Sequence, residues 1–130
     1  MRVIALLIIG IIVFTSESNA EEQWEEYYEG SSSTYFYDKE SLHYPYKDNQ
    51  NIIAVWTKTI PSTYITHNQE RIGYFSDLIY INCEEVKYRR TEMLIHSYSG
   101  EIMNRQMGIS TYYTIDPESE AEALYKRVCP

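Results

Sequence analysis

Asp116-Pro117-Glu118-Ser119-Glu120-Ala121-Glu122-Ala123-Leu124-Tyr125-Lys126-Arg127-Val128-Cys129 runs to within one residue of the end of the chain, and its reading decides the fold. Asp116 suits a helix N-cap and Pro117 the first helical position. Glu118, Glu120 and Glu122 put negative charge at the positive end of the helix dipole, and Lys126 and Arg127 put positive charge at the other. Ala121, Leu124, Tyr125 and Val128 recur at i, i+3, i+4 and i+7, which makes one apolar stripe that must face a neighbour. That neighbour lies upstream, where the pattern is extended.

Residues 52–60 are the clearest strand. Val55, Thr57 and Thr59 alternate with Trp56, Lys58 and Ile60, so the two sets point to opposite faces, and Pro61 ends the run. Residues 34–37, 78–83, 86–98 and 111–115 are rich in β-branched and aromatic side chains and also read as strands. Residues 21–29 read as an acidic lead into an edge strand. Ser99-Gly100 is a hairpin signal, with 101–103 returning. Residues 61–70 and 104–110 show no clear period and read as loops. About five to six antiparallel strands followed by one helix on a face is an α+β fold.

The chain begins Met1-Arg2, then runs without a charge from Val3 to Phe14. That run is too short to span a bilayer. Ser18 and Ala20 are small residues ahead of Glu21, so a signal peptide over 1–20 with cleavage between Ala20 and Glu21 is expected, leaving 21–130 as a single domain. An uncleaved N-terminal anchor is the alternative. Cleavage removes Arg2 and Glu17 together, so the remainder keeps the net charge of −8. No transmembrane span is expected after signal removal, and the expected location is periplasm, outer surface or medium.

Cys83 and Cys129 are an even pair in a small exported domain, which reads as one disulfide across 46 residues. In the chain-entropy model such a loop stabilises by roughly 4 kcal/mol. The tie would pin the helix end to the sheet.

An acidic chain without a basic cluster does not suit nucleic acid. No catalytic motif is present, and His43, His67 and His96 have no ligand spacing, so no catalytic residue, metal or cofactor is expected. Glu84-Glu85 and Glu118/Glu120/Glu122 read as a turn and a helix start rather than as acid–base pairs. Trp56 and the 14 tyrosines have two readings: core beneath the helix, taken first, or a contact surface.

Ile81-Asn82-Cys83, Tyr88-Arg89-Arg90, Tyr98-Ser99-Gly100, Tyr113-Thr114-Ile115-Asp116-Pro117-Glu118-Ser119 and Leu124-Tyr125 before Cys129 form a pattern. Tyr37-Asp38-Lys39-Glu40-Ser41 and Val55-Trp56 add to it upstream. Together they resemble the surface-adhesin protein E family of Gram-negative bacteria, over most of residues 24–129. This chain departs from the family pattern in having Tyr98-Ser99 for Tyr-Asp, Tyr113 for Trp and Glu118 for Gly. The resemblance implies a bent antiparallel sheet with a disulfide-tethered helix, a homodimer in some members, and a non-enzymatic adhesin-like function. The implied partners are proteins, host matrix or plasma proteins among them; the composition, with 14 tyrosines and a net charge of −8, offers a tyrosine-rich acidic surface to meet them. No partner-binding residue is singled out. A periplasmic accessory or structural protein of the envelope is the runner-up, and a small hydrolase a third class.

Overall fold

The computed structural model describes residues 23–108 and 111–130. Among them are strands β1 (Trp24–Glu29), β2 (Ser33–Asp38), β3 (Ile52–Pro61) and β4 (Thr66–His67). Then follow β5 (Glu70–Asn82), β6 (Lys87–Ser97), β7 (Ile102–Met107), β8 (Tyr113–Thr114) and helix α1 (Glu120–Val128). The sheet runs β1-β2-β3-β5-β6-β7, with β4 on one end of β5 and β8 on one end of β6. All pairs are antiparallel.

Eight strands replace the expected five to six. β4 is the unexpected one, too short at two residues to carry a period; β1 forms within the acidic lead, and the strand read over 111–115 forms as β8 over Tyr113–Thr114 only. β4 closes on β5 through Asn68 and Gln69, whose φ angles are 51° and 66°. Two successive left-handed residues make the hairpin turn that matches strand twist. Gln69 is an uncommon choice there, so residues 61–70 read as loop. Residues 104–107 are strand rather than loop: Leu94 pairs with Arg105 and Glu92 with Met107, and Arg105 Nε lies 3.1 Å from Glu92 Oε1. Val86 sits in the turn before β6, with φ 55°, not in the strand.

The alternation in β3 is as read. Val55 is fully buried in a cluster with Tyr37, Ile79, Ile81, Ile115 and Leu124, on the face that α1 covers. Ala121, Tyr125 and Val128 pack against the same cluster, so the predicted stripe is the contact face of the helix. The start of the helix differs. Ser119, not Asp116, is the N-cap: its Oγ accepts the Glu122 N–H at 3.2 Å, and Glu122 Oε1 accepts the Glu118 N–H at 3.1 Å. Glu118 has φ 65°, which no helix tolerates, so Asp116 and Pro117 belong to a preceding turn. The Ser119 hydroxyl donates to the Asp116 carbonyl at 2.6 Å and closes that turn.

Cys83 and Cys129 are bonded. Cys129 is the helix C-cap, and the Tyr125 hydroxyl donates to the Cys83 carbonyl at 3.2 Å, so a hydrogen bond reinforces the covalent tie one turn away. At the far side of the sheet Arg127 Nη1 reaches Glu25 Oε1 of β1 at 3.1 Å. The helix is thereby fixed at both flanks.

A candidate recognition groove on the uncovered face

Alternate residues of the same strands form the other face, which no helix covers among the described residues. Directly opposed residues share a face, so the register defines two rows there. In the first, Trp24 pairs with Asp38, and Trp56 pairs with Leu78. Because Tyr37 pairs with Thr57, the next residue, Asp38, stands across from Trp56. One carboxylate therefore has an indole on either side. In the second row Phe36 faces Lys58, Lys58 faces Ser76 and Ser76 faces Leu94. Tyr74 opposite His96 completes the floor. All of these side chains but Leu78 line a groove of about 870 Å³, within the usual range for small-molecule sites.

Local structure holds the pieces in place. The Asp38 Oδ1 accepts the Glu40 N–H at 3.0 Å and caps a 3₁₀ turn over Lys39–Ser41. The Ser41 hydroxyl donates to the Asp38 carbonyl at 2.7 Å, and its oxygen accepts the Trp56 N–H at 2.9 Å. That turn thus fixes both Asp38 and the backbone of Trp56. At the other end, a bulge at Gly73 sets Tyr74 over His96, with ring centroids 4.1 Å apart and planes at 15°. A Cβ on Gly73 would come 2.9 Å from the Tyr98 Cα, so only glycine allows this close approach.

The groove holds opposite charges that do not meet. The Lys58 ammonium lies 4.4 Å from the Tyr74 ring centre and 5.6 Å from that of Trp24. Among the described residues no carboxylate is within ion-pair reach of it, Asp38 included. The charged form of His96 is disfavoured. Burial pushes its pKa down, the hydrogen bond to the Gly100 carbonyl opposes that in part, and nearby Lys58 adds a smaller push down. Gly100 O is an acceptor 3.3 Å from Nδ1, so Nδ1 carries the proton and Nε2 accepts from the Ser76 hydroxyl at 3.1 Å. This Ser–His contact lies within paired strands, where backbone N–H groups are spent in the ladders. It clamps the floor of the groove.

Under the helix the chemistry is different. Asp77 is buried on the other face, with Arg90 Nε 3.0 Å from its Oδ1. The angle at that contact is too poor for a hydrogen bond, so the pair is ionic only. Burial raises the Asp77 pKa and Arg90 opposes that. Burial, followed by the charge of Glu120, raises the Tyr27 phenol beside it. A void of about 70 Å³ remains among them, too small for more than water.

Trp56 therefore belongs to the groove and not to the core beneath the helix. Of the tyrosines only Tyr37 is fully in that core, with Tyr27, Tyr88 and Tyr125 at its margin. Tyr44, Tyr46, Tyr64, Tyr98 and Tyr113 are exposed. The groove was not legible as a site because its indoles are far apart in sequence; the alternation in β3 was the one available signal. His43 lies at a bridge to Ala54, His67 in β4 and His96 in β6, so the three are not brought together. Among the described residues no group of His, Cys, Asp and Glu could hold a metal. Glu84 and Glu85 are in a turn capped by the Asn82 Oδ1. The cleavage position between Ala20 and Glu21 lies outside the described residues.

Among curated protein sequences none matches this chain. Solved structures do. Crystal form II of Haemophilus influenzae protein E matches with a TM-score of 0.64 at 9% identity, over 83% of this chain and 87% of that one. A second structure of Haemophilus influenzae protein E gives a TM-score of 0.60 at 10% identity, over 83% and 84%. These likenesses establish the fold. A family model, surface-adhesin protein E, matches residues 22–130, which include the strands, the helix and both cysteines. By sequence pattern and by architecture, the chain belongs to the surface-adhesin protein E family.

Proposed function

We propose that the chain is an exported, non-enzymatic binding domain of adhesin type. Residues 1–20 direct export and are removed between Ala20 and Glu21. Residues 21–130 then act as an oxidised domain at the cell surface or in the medium. Protein partners, host matrix or plasma proteins among them, meet a tyrosine-rich acidic surface. The observation that carries this reading is the uncovered aromatic face: a small domain that leaves Trp24, Trp56 and Phe36 lining an open groove forgoes apolar burial it could have had. Exposed Tyr64 and Tyr98, both lying under the Arg71 guanidinium, supply further rigid, amphipathic contact area. The net charge of −8 favours basic partners and makes encounter salt-sensitive.

Two measurements test this. Impermeant labelling of intact cells should mark the protein, and its binding to basic matrix proteins should weaken as salt rises. Complete protection by the outer membrane, with no binding even at low salt, defeats the reading.

A further inference from the structure

The geometry points to a zwitterionic head group of the phosphocholine type as the ligand of the groove, with its quaternary ammonium between Trp24 and Trp56 above Asp38 and its phosphate on Lys58. This deepens the binding reading and rests on it.

Two indoles flanking one carboxylate suit a cation. The Lys58 ammonium, 5.6 Å from the Trp24 ring centre, already lies over one of them, and a ligand phosphate bound to Lys58 leaves the space above Asp38 to a ligand ammonium. The rings of Trp24, Phe36 and Trp56 line this part of the groove beside Asp38. A quaternary ammonium, with methyl groups and no N–H to satisfy, suits them better than a primary amine. Lys58 then decides between ligand classes. It is two residues from Trp56 on the same face of β3, and its ammonium has no anionic partner among the described residues. A plain cation such as a lysine side chain would gain at Asp38 and be repelled at Lys58. A plain anion would gain at Lys58 and be repelled at Asp38, and by the field of a chain with net charge −8. A ligand carrying both charges close together satisfies both groups and is neutral at long range. Lysine is a point-charge partner for phosphate. The second oxygen of Asp38 accepts no hydrogen bond among the described residues, so the carboxylate can face a ligand while capping its turn.

The test is a titration of the oxidised protein, read from the indole N–H resonances of its two tryptophans. Phosphocholine should shift both and saturate. Choline alone and inorganic phosphate alone should bind about tenfold more weakly or worse. Asp38→Asn keeps the cap on Glu40 yet removes the charge, and Lys58→Gln removes the other; each should weaken phosphocholine about tenfold with the amide spectrum of the helix side unchanged. Trp56→Phe should retain part of the affinity that Trp56→Ala loses. Sedimentation with phosphatidylcholine but not phosphatidylglycerol vesicles would place the head group on a lipid. Binding of free phosphocholine without vesicle binding would support the same site for a soluble or glycan-borne head group. Absence of any shift with phosphocholine, equal affinity for all three ligands, or tighter binding of a lysine-rich peptide overturns the assignment. If Trp56→Ala abolishes partner binding while phosphocholine does nothing, only the ligand class falls. If Trp56→Ala leaves partner binding intact, the groove itself is dismissed.

Discussion

Val55 and Trp56 are neighbours in the chain and belong to different parts of the protein's work. Val55 is sealed under α1, in a cluster of aliphatic side chains closed by the disulfide. Trp56 faces the open groove, among rings and unpaired charges. A strand's period of two makes this division possible, because each strand feeds both faces without any change of backbone path. The lesson is that stability and recognition are separated by parity along β3 and β5. Substitutions on one face should spare the property of the other.

The sharpest way to break that comparison is to cut the tie on the helix side. Replacing Cys83 and Cys129 by Ser together should cost roughly 4 kcal/mol in a denaturant titration, enough to unfold much of so small a domain. Ligand response in the fraction that stays folded should be unchanged. Next in size is the paired test at the two faces. Leu124→Ala should lose about 3 kcal/mol of stability, since a residue 3% exposed leaves a cavity. Trp56→Ala, on the open face, should lose clearly less than that and remove groove binding instead. Equal losses of stability would show that the groove is core after all.

A smaller effect of opposite sign is expected at Glu118. Its φ of 65° suits glycine, which is also what the family pattern carries there. Glu118→Gly should raise stability by about 1 kcal/mol, and it keeps the backbone N–H that Glu122 accepts. No gain in the melting midpoint would mean that the turn before α1 is not strained.

The smallest effect concerns pH and the groove floor. The folded state holds the His96 pKa below its ordinary value of 6.5. Below that value the unfolded chain therefore binds more protons than the folded one. The contribution is complete above the ordinary histidine value and is lost as pH falls through it towards the lower folded value. Lys58, Tyr74 and Ser76 face the ring, and only Lys58 among them is charged near neutrality. His96→Gln should flatten this part of the pH–stability curve, and an unchanged curve would refute the assignment.

Local rules carried much of the fold. The stripe Ala121, Leu124, Tyr125 and Val128, the alternation around Val55 and Trp56, and the Ser99-Gly100 turn are patterns within a few residues, and each appears in the structure as read. The misreadings also have local causes. Asp116-Pro117 is a good helix start, but Ser119 is another, and Glu118 in the left-handed region decided between them. Asn68-Gln69 lacks the glycine that would have marked its turn. The strand read over 111–115 is shorter than its composition suggests, because β6 pairs with it only at Lys87 and Tyr88.

By itself the sequence determined what each residue could be: which side chains share a face, where a helix can run, and that the only two cysteines could form a bridge. Those properties follow from periodicity, propensity and count, which are short-range or compositional. Where the faces meet was decided by tertiary structure alone. Trp24, Asp38 and Trp56 come together through the register of three strands, and Lys58 stays apart from Asp38 because that register sets them in different rows. Register depends on pairing free energies summed over the whole sheet, and no short window of residues contains that sum.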